Sequence, residues 1–283
     1  MNRDKAMDHK KIISHFKKQI NQTSNKGVSL GEIDEYFDLI KQSIQEDIKD
    51  GFKETIARNL TLGIGTHSGE YPKHLILCGE KSGWKYITRY LLWQQHILEK
   101  LFIYKEVTSR SVGCIIGLSV LWNMTNLAKL AREYFQLLFE ENKQKYKQRE
   151  THHLFIAILY DLKETKKINQ ELYTVLPDES IYKTFLDNWK STDGKLVGNL
   201  LFELCDFHVY SSLDLKEKFS EILSLSYIPY EIKLIENIRS DQGIPNVKID
   251  HPLLETPLAE IPETAYEWDL SQDEVYQFLI KRE

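Results

Sequence analysis

The placement of the seven prolines in this 283-residue chain limits its fold more than any other feature. Only Pro72 and Pro177 precede residue 229, whereas Pro252, Pro257 and Pro262 follow one another at intervals of five. Proline lacks the amide donor and clashes with the preceding turn. Long helices can therefore run almost anywhere before residue 229, and neither a continuous helix nor a central strand can run through "DHPLLETPLAEIP" at 250–262. That stretch reads as an extended apolar strap.

Upstream, the apolar residues recur at helical spacing. "SLGE" at 29–32 has the Ser-x-x-Glu form of a capping box, and Ile33, Phe37, Ile40, Ile44, Ile48, Phe52 and Ile56 follow as one stripe. The spacing predicts one helix over 29–60, ended by the glycine-rich "GIGTHSGEYP" at 63–72. Trp84, Ile87, Tyr90, Leu91, Leu98, Leu101 and Phe102 predict a more deeply buried helix over 82–106, paired with another over 112–146. Further helices are expected over 150–166, 179–190 and the "KLVGNLLFELCDFHVYSS" stretch, with short ones at 214–226 and 230–240. A second capping box, "SQDE" at 271–274, precedes "VYQFLIKRE".

No strand alternation of useful length interrupts this pattern. The expected fold is all-α, an array of antiparallel helical hairpins with an extended proline-containing C-terminal strap. The expected organisation is a basic N-terminal segment (1–28), a helical domain (29–240), the strap (241–270) and a short C-terminal helix (271–283).

Charge and cysteine usage narrow the function classes. The net charge of −5 is uneven: residues 1–26 hold seven Lys or Arg against Asp4 and Asp8, and residues 255–283 hold eight acids against Lys281 and Arg282. The body lacks the basic stripe that displaces counterions from nucleic acid, so no nucleic-acid partner is expected. Cys78, Cys114 and Cys205 are odd in number and scattered, which argues for a reducing compartment. The basic opening has no apolar core of the kind an export signal needs. The longest uncharged apolar run, "VGCIIGLSVLW" at 112–122, falls well short of the about 20 residues a membrane span requires. A cytoplasmic protein without a membrane partner is expected.

Motifs for chemistry are sparse. "GIGTHSGE" lacks the strand context and the Gly-Lys-Ser/Thr that a phosphate cradle needs, so a turn is expected there. His67, His74 and Cys78 have no fourth ligand in view, the His152-His153 pair is unaccompanied, and no metal site or cofactor is expected. In "FELCDFHVY", Glu203 and Asp206 share a helical face while His208 lies about 200° from Asp206, so the three do not converge for acid–base work. Arg89, among Tyr86, Tyr90 and Trp93, requires a counter-ion if buried, and a structural ion pair linking Arg89, or else Arg58, to Glu203 or Asp206 is the expectation. "GCIIG" at 113–117 spaces small residues for close helix packing. With no triad, P-loop or ligand quartet, the chain is not expected to be an enzyme, and a binding protein is the default.

The helical layout, "LAKLAREYFQLL" at 127–138 and "DHPLLETPL" at 250–258 resemble the all-α immunity proteins of bacterial polymorphic toxin systems, such as those protecting against type VI secretion and Rhs effectors. The resemblance implies stoichiometric binding to a cognate toxin effector domain, and the missing export signal then points to a toxin acting in the cytoplasm, a nuclease, an NAD-consuming enzyme or a nucleotide-modifying enzyme rather than a cell-wall hydrolase. Glu255, Glu260, Glu263, Glu267 and Asp269 are the candidate partner-binding residues, an acidic rim suited to a basic partner. The alternative is a helical-repeat adaptor for an unrelated protein partner.

Overall fold

The computed structural model describes residues 9–26, 29–100, 107–213, 220–223, 225–273 and 276–277. Every regular element among them is helical, and no helix is long and apolar enough to cross a membrane. The chain divides into two compact units, residues 1–22 with 109–261, and residues 23–108 with 262–283. The expected helical span 29–240 is thus shared between two units.

The smaller unit begins with α1 (His9–Lys26) from Thr23 onward and continues through α2 (Leu30–Asp50), α3 (Lys53–Arg58), α4 (Ser68–Leu77) and α5 (Gly83–Lys100). The capping box forms as expected: Ser29 Oγ accepts from the Glu32 amide at 3.2 Å, and a Glu32 carboxylate oxygen accepts from the Ser29 amide at 2.7 Å. The stripe from Ile33 to Ile56 does not make one helix, because Gly51 takes φ 77° and terminates α2. A left-handed residue closes a helix by offering its amide to the last carbonyls, and glycine does so without steric cost.

The expected break at 63–72 is also absent. Asn59–His67 winds as a π-helix directly into α4, with Pro72 inside α4 just past the wide turns, where the i→i−4 ladder is already interrupted. Each glycine weakens a helix by only about 1 kcal/mol, and this stretch packs against α2 and α5.

The larger unit holds α1 up to Gln22, then α6 (Ser109–Leu121), α7 (Thr125–Glu141), α8 (Lys143–Gln148), α9 (Thr151–Thr165), α10 (Gln170–Val175), α11 (Ile181–Asn188), α12 (Gly194–Ser212) and α13 (Tyr230–Asp241). The expected helix over 112–146 is split at Asn123, which takes φ 55°, and again at Asn142. α6 is buried along nearly its whole length and packs on α7, α9 and α13.

After α13 the chain is not extended throughout. Pro252–Glu255 and Pro257–Ala259 each wind into a 3-10 turn headed by its proline, where the missing amide would have had no partner in any case. Leu253 and Leu258 are fully buried, and Leu254 and Ile261 half-buried. In the smaller unit, Leu270–Gln272 forms a 3-10 turn capped by Asp269, and Tyr276 and Gln277 are helical. The remainder of the helix expected over 271–283, including Glu274 of its capping box, lies outside the described residues.

Candidate functional site

α12 is the spine of the most polar part of the larger unit's core. It starts where Asp193 accepts from the amides of Lys195 and Leu196, and it buries Val197, Leu200, Leu201, Leu204, Cys205, His208 and Val209. Asp206 and His208, two residues apart, face different neighbours, as their helical phase requires.

His208 meets Glu231, in the first turn of α13, through an Nδ1–Oε1 contact of 2.5 Å, with side chains 0% and 1% exposed. The carboxylate accepts, so Nδ1 donates. His208 Nε2 and Glu231 Oε2 are both buried with no hydrogen-bond partner among the described residues. Beside them, 5.7 Å between ring centroids from His208, lies His152 of α9. His152 Nδ1 is 2.9 Å from the Tyr182 hydroxyl and Nε2 is 2.8 Å from the Tyr230 hydroxyl. Burial, and then the neighbouring His153 and His208, push the His152 pKa well below its ordinary 6.5, so the ring is neutral. One ring nitrogen then donates to a tyrosine oxygen and the other accepts from a tyrosine hydroxyl.

The adjacent His153 has a different task. Its Nδ1 accepts from the Gly113 amide at 3.1 Å, so its Nε2 carries the proton and donates to the Glu221 carbonyl at 2.9 Å. A Cβ at Gly113 would strike the His153 ring, and one at Gly117 the Tyr230 ring. "GCIIG" therefore brings α6 against these rings, in keeping with the expected close packing.

Asp206 belongs to a second cluster. His9 Nδ1 donates to its two oxygens at 2.7 and 2.8 Å, and His251 Nε2 lies 3.1 Å from Oδ1. His251 Nδ1 accepts from the Leu253 amide at 3.1 Å, capping the 3-10 turn at Pro252, so Nε2 is the protonated nitrogen and donates to Asp206. Phe202 packs on both histidine rings. These contacts fasten the start of α1 and the proline-rich segment to α12.

The expected ion pair of Arg89 with Glu203 or Asp206 is not what forms. Arg89, in the smaller unit, is 3% exposed, and its acid is Asp34 of α2, at 3.7 Å from Nη1. Its guanidinium lies 3.8 Å from the Phe37 ring centroid, 4.7 Å from Tyr86 and 4.8 Å from Trp268. Desolvation lowers its pKa from the ordinary arginine range, and Asp34 opposes that. Aromatic faces thus replace the buried acid that the apolar setting suggested. Glu203 is exposed, and Asp206 is taken by two histidines.

All five candidate partner-binding acids are exposed: Glu255 and Glu260 in the larger unit, and Glu263, Glu267 and Asp269 in the smaller. Trp268, between the last two, packs against the tilted Tyr86 ring and beneath the Lys85 ammonium, and the Tyr266 amide donates to Thr88 Oγ1 at 3.2 Å. Hydrogen bonds from Ser271 and Gln272 hold the Asp269 carboxyl below its ordinary range. Of the residues weighed for zinc, Cys78 is exposed with its thiol on the Ser24 carbonyl, and the His67 side chain lies outside the described residues. None of the three cysteines is in a disulfide among the described residues.

Sequence reasoning passed over both histidine clusters. The residues of one come from positions 9, 206 and 251, those of the other from 152, 208 and 231. The one local signal was the adjacent His152 and His153 on the apolar helix α9. Comparison with known proteins finds no matching family model, no matching curated protein and no matching solved structure.

Proposed function

We propose that the chain is an immunity protein that binds a cognate toxin effector domain in the cytoplasm and neutralises it. The reading rests on the acids at 255, 260, 263, 267 and 269, all of which face solvent while the apolar residues between them are held down. Leu253 and Leu258 are fully buried, and Trp268 packs against Tyr86. Within each unit, the part of the segment pinned in this way loses little conformational entropy when a partner arrives. Its negative charge speeds encounter with a basic surface such as that of a nuclease.

Inhibition requires a protein–protein contact and no chemistry on the immunity protein's side. The test is co-expression with the C-terminal domain of a toxin encoded directly upstream. Protection of the host and co-purification of a stoichiometric complex are expected, with charge reversal at Glu260, Glu263 and Glu267 slowing formation of the complex at low salt. Toxicity that persists in the presence of the folded chain, with no complex, overturns the reading. A complex with a protein that is not a toxin transfers it to the adaptor class.

A further inference from the structure

Inside the larger unit, three side chains of metal-ligating type converge from three helices: His152 of α9, His208 of α12 and Glu231 of α13. One ligand atom from each lies within 4.8 Å of the others. We infer that this cluster is a binding site for a single divalent d-block cation of the zinc class, held inside the helical core.

The first ground is the unfinished hydrogen bonding. His208 Nε2 and Glu231 Oε2 are both buried and have no partner among the described residues, and each is a lone-pair donor when His208 is neutral. Most buried polar atoms are satisfied, so Glu231 Oε2 is left for something other than protein; with Nδ1 turned to Glu231, His208 Nε2 points away from the carboxylate, and one ion shared by both residues takes His208 through Nδ1 in place of its proton. The second ground is charge. Glu231 is 1% exposed, and its only ion-pair partner among the described residues is His208, itself fully buried. A carboxylate there is costly to desolvate, and a cation offsets that cost more completely than one imidazole.

The third ground is ligand chemistry. Two imidazoles and a carboxylate form a nitrogen–oxygen set common for zinc, with a remaining position for a phenol or water oxygen. Tyr182 supplies the outer hydrogen bond that fixes a ligating imidazole: with His152 Nδ1 donating to Tyr182 Oη, Nε2 is left as a lone pair on the side of Tyr230. Because the site is enclosed, the ion would enter as the chain folds, so its binding free energy adds to stability.

The second cluster does not share this chemistry, although its three residues are similarly close. His251 Nδ1 accepts a backbone amide, so Nε2 keeps its proton and has no lone pair for a metal. Asp206 already accepts from both histidines. The two clusters therefore serve as each other's control.

The experiment measures metal in the full chain purified without a histidine tag from zinc-supplemented medium, then refolds it with Co2+ in place of zinc. About one zinc per chain and the absorption bands of a four-coordinate nitrogen–oxygen cobalt site are expected. Glu231→Gln and His208→Gln are expected to weaken binding by about tenfold or more, while Asp206→Asn keeps the wild-type metal content. EDTA should lower the melting temperature of the wild type and leave that of Glu231→Gln unchanged. Wild-type protein that folds yet takes up neither ion overturns the inference, whatever the variants do. So does a bound ion released by Asp206→Asn, or one placed by anomalous scattering away from His208.

Discussion

His208 and Glu231 stand 23 positions apart in the chain and meet at 2.5 Å in the core, and neither makes another ion pair among the described residues. Breaking one side of such a pair leaves the other as an uncompensated buried group. His208→Ala is expected to lower unfolding stability by about 3–5 kcal/mol, measured as a lower urea midpoint. In metal-free protein, the double variant His208→Leu with Glu231→Leu should recover most of that loss, since apolar residues of similar volume remove the desolvation cost. An unchanged midpoint in His208→Ala would mean that the pair is not buried in solution.

His152 and His153 together make folding sensitive to acid. Burial is the largest influence on both and lowers each pKa from the ordinary 6.5; at His153 it is opposed by Glu150 and by the Glu221 carbonyl. Below about pH 6.5 the unfolded chain binds protons that the folded chain refuses, so the unfolded state carries more protons and stability falls as pH falls. The expected outcome is a melting temperature that is flat above neutrality and declines on acidification from about pH 6.5. His153→Gln should flatten part of that decline. A melting temperature that rises on acidification through this window would contradict the buried neutral state of both rings.

The all-helical build was legible because proline placement and apolar spacing act locally, and Ser29 and Glu32 form the box their spacing announces. The end of α2 at Gly51 was not legible, since the stripe from Ile33 to Ile56 continues through it and only a φ of 77° breaks the helix. Helical phase correctly separated Asp206 from His208. It had no means of finding His9 and His251 for the first or Glu231 for the second, because those meetings depend on how α1, α13 and the segment after it pack on α12. Burial of Arg89 was foreseeable from Tyr86, Tyr90 and Trp93, but the choice of Asp34 and three aromatic faces over a buried acid was not.

Arg89 offers a sharper test of that last point. Its acid Asp34 is half exposed, so Asp34→Asn should change the melting temperature little. Arg89→Ala removes the stacking on Phe37, Tyr86 and Trp268 and is expected to cost about 2–3 kcal/mol. Arg89→Lys should recover only part of this, since an ammonium does not stack in the plane of a ring. Equal losses for Asp34→Asn and Arg89→Ala would restore the ion pair as the dominant contact.

The segment after residue 250 separates anchoring from recognition, and two substitutions divide them. Leu258 is fully buried beneath a short 3-10 turn, so Leu258→Asp places a charge where no partner exists and should weaken folding by several kcal/mol. Leu254, half-buried, should tolerate the same change better. Charge reversal at Glu260, Glu263 and Glu267 alters only exposed side chains, so the melting temperature should stay within about 0.5 kcal/mol of wild type in equivalent stability. Its expected effect is on the partner: slower association at low salt, a difference that shrinks as salt screens the charges, and a dissociation rate nearly unchanged. Stopped-flow association measured across ionic strengths reads this directly. If association is equally fast for both proteins at every salt concentration, the acids only solubilise the surface and the partner docks elsewhere.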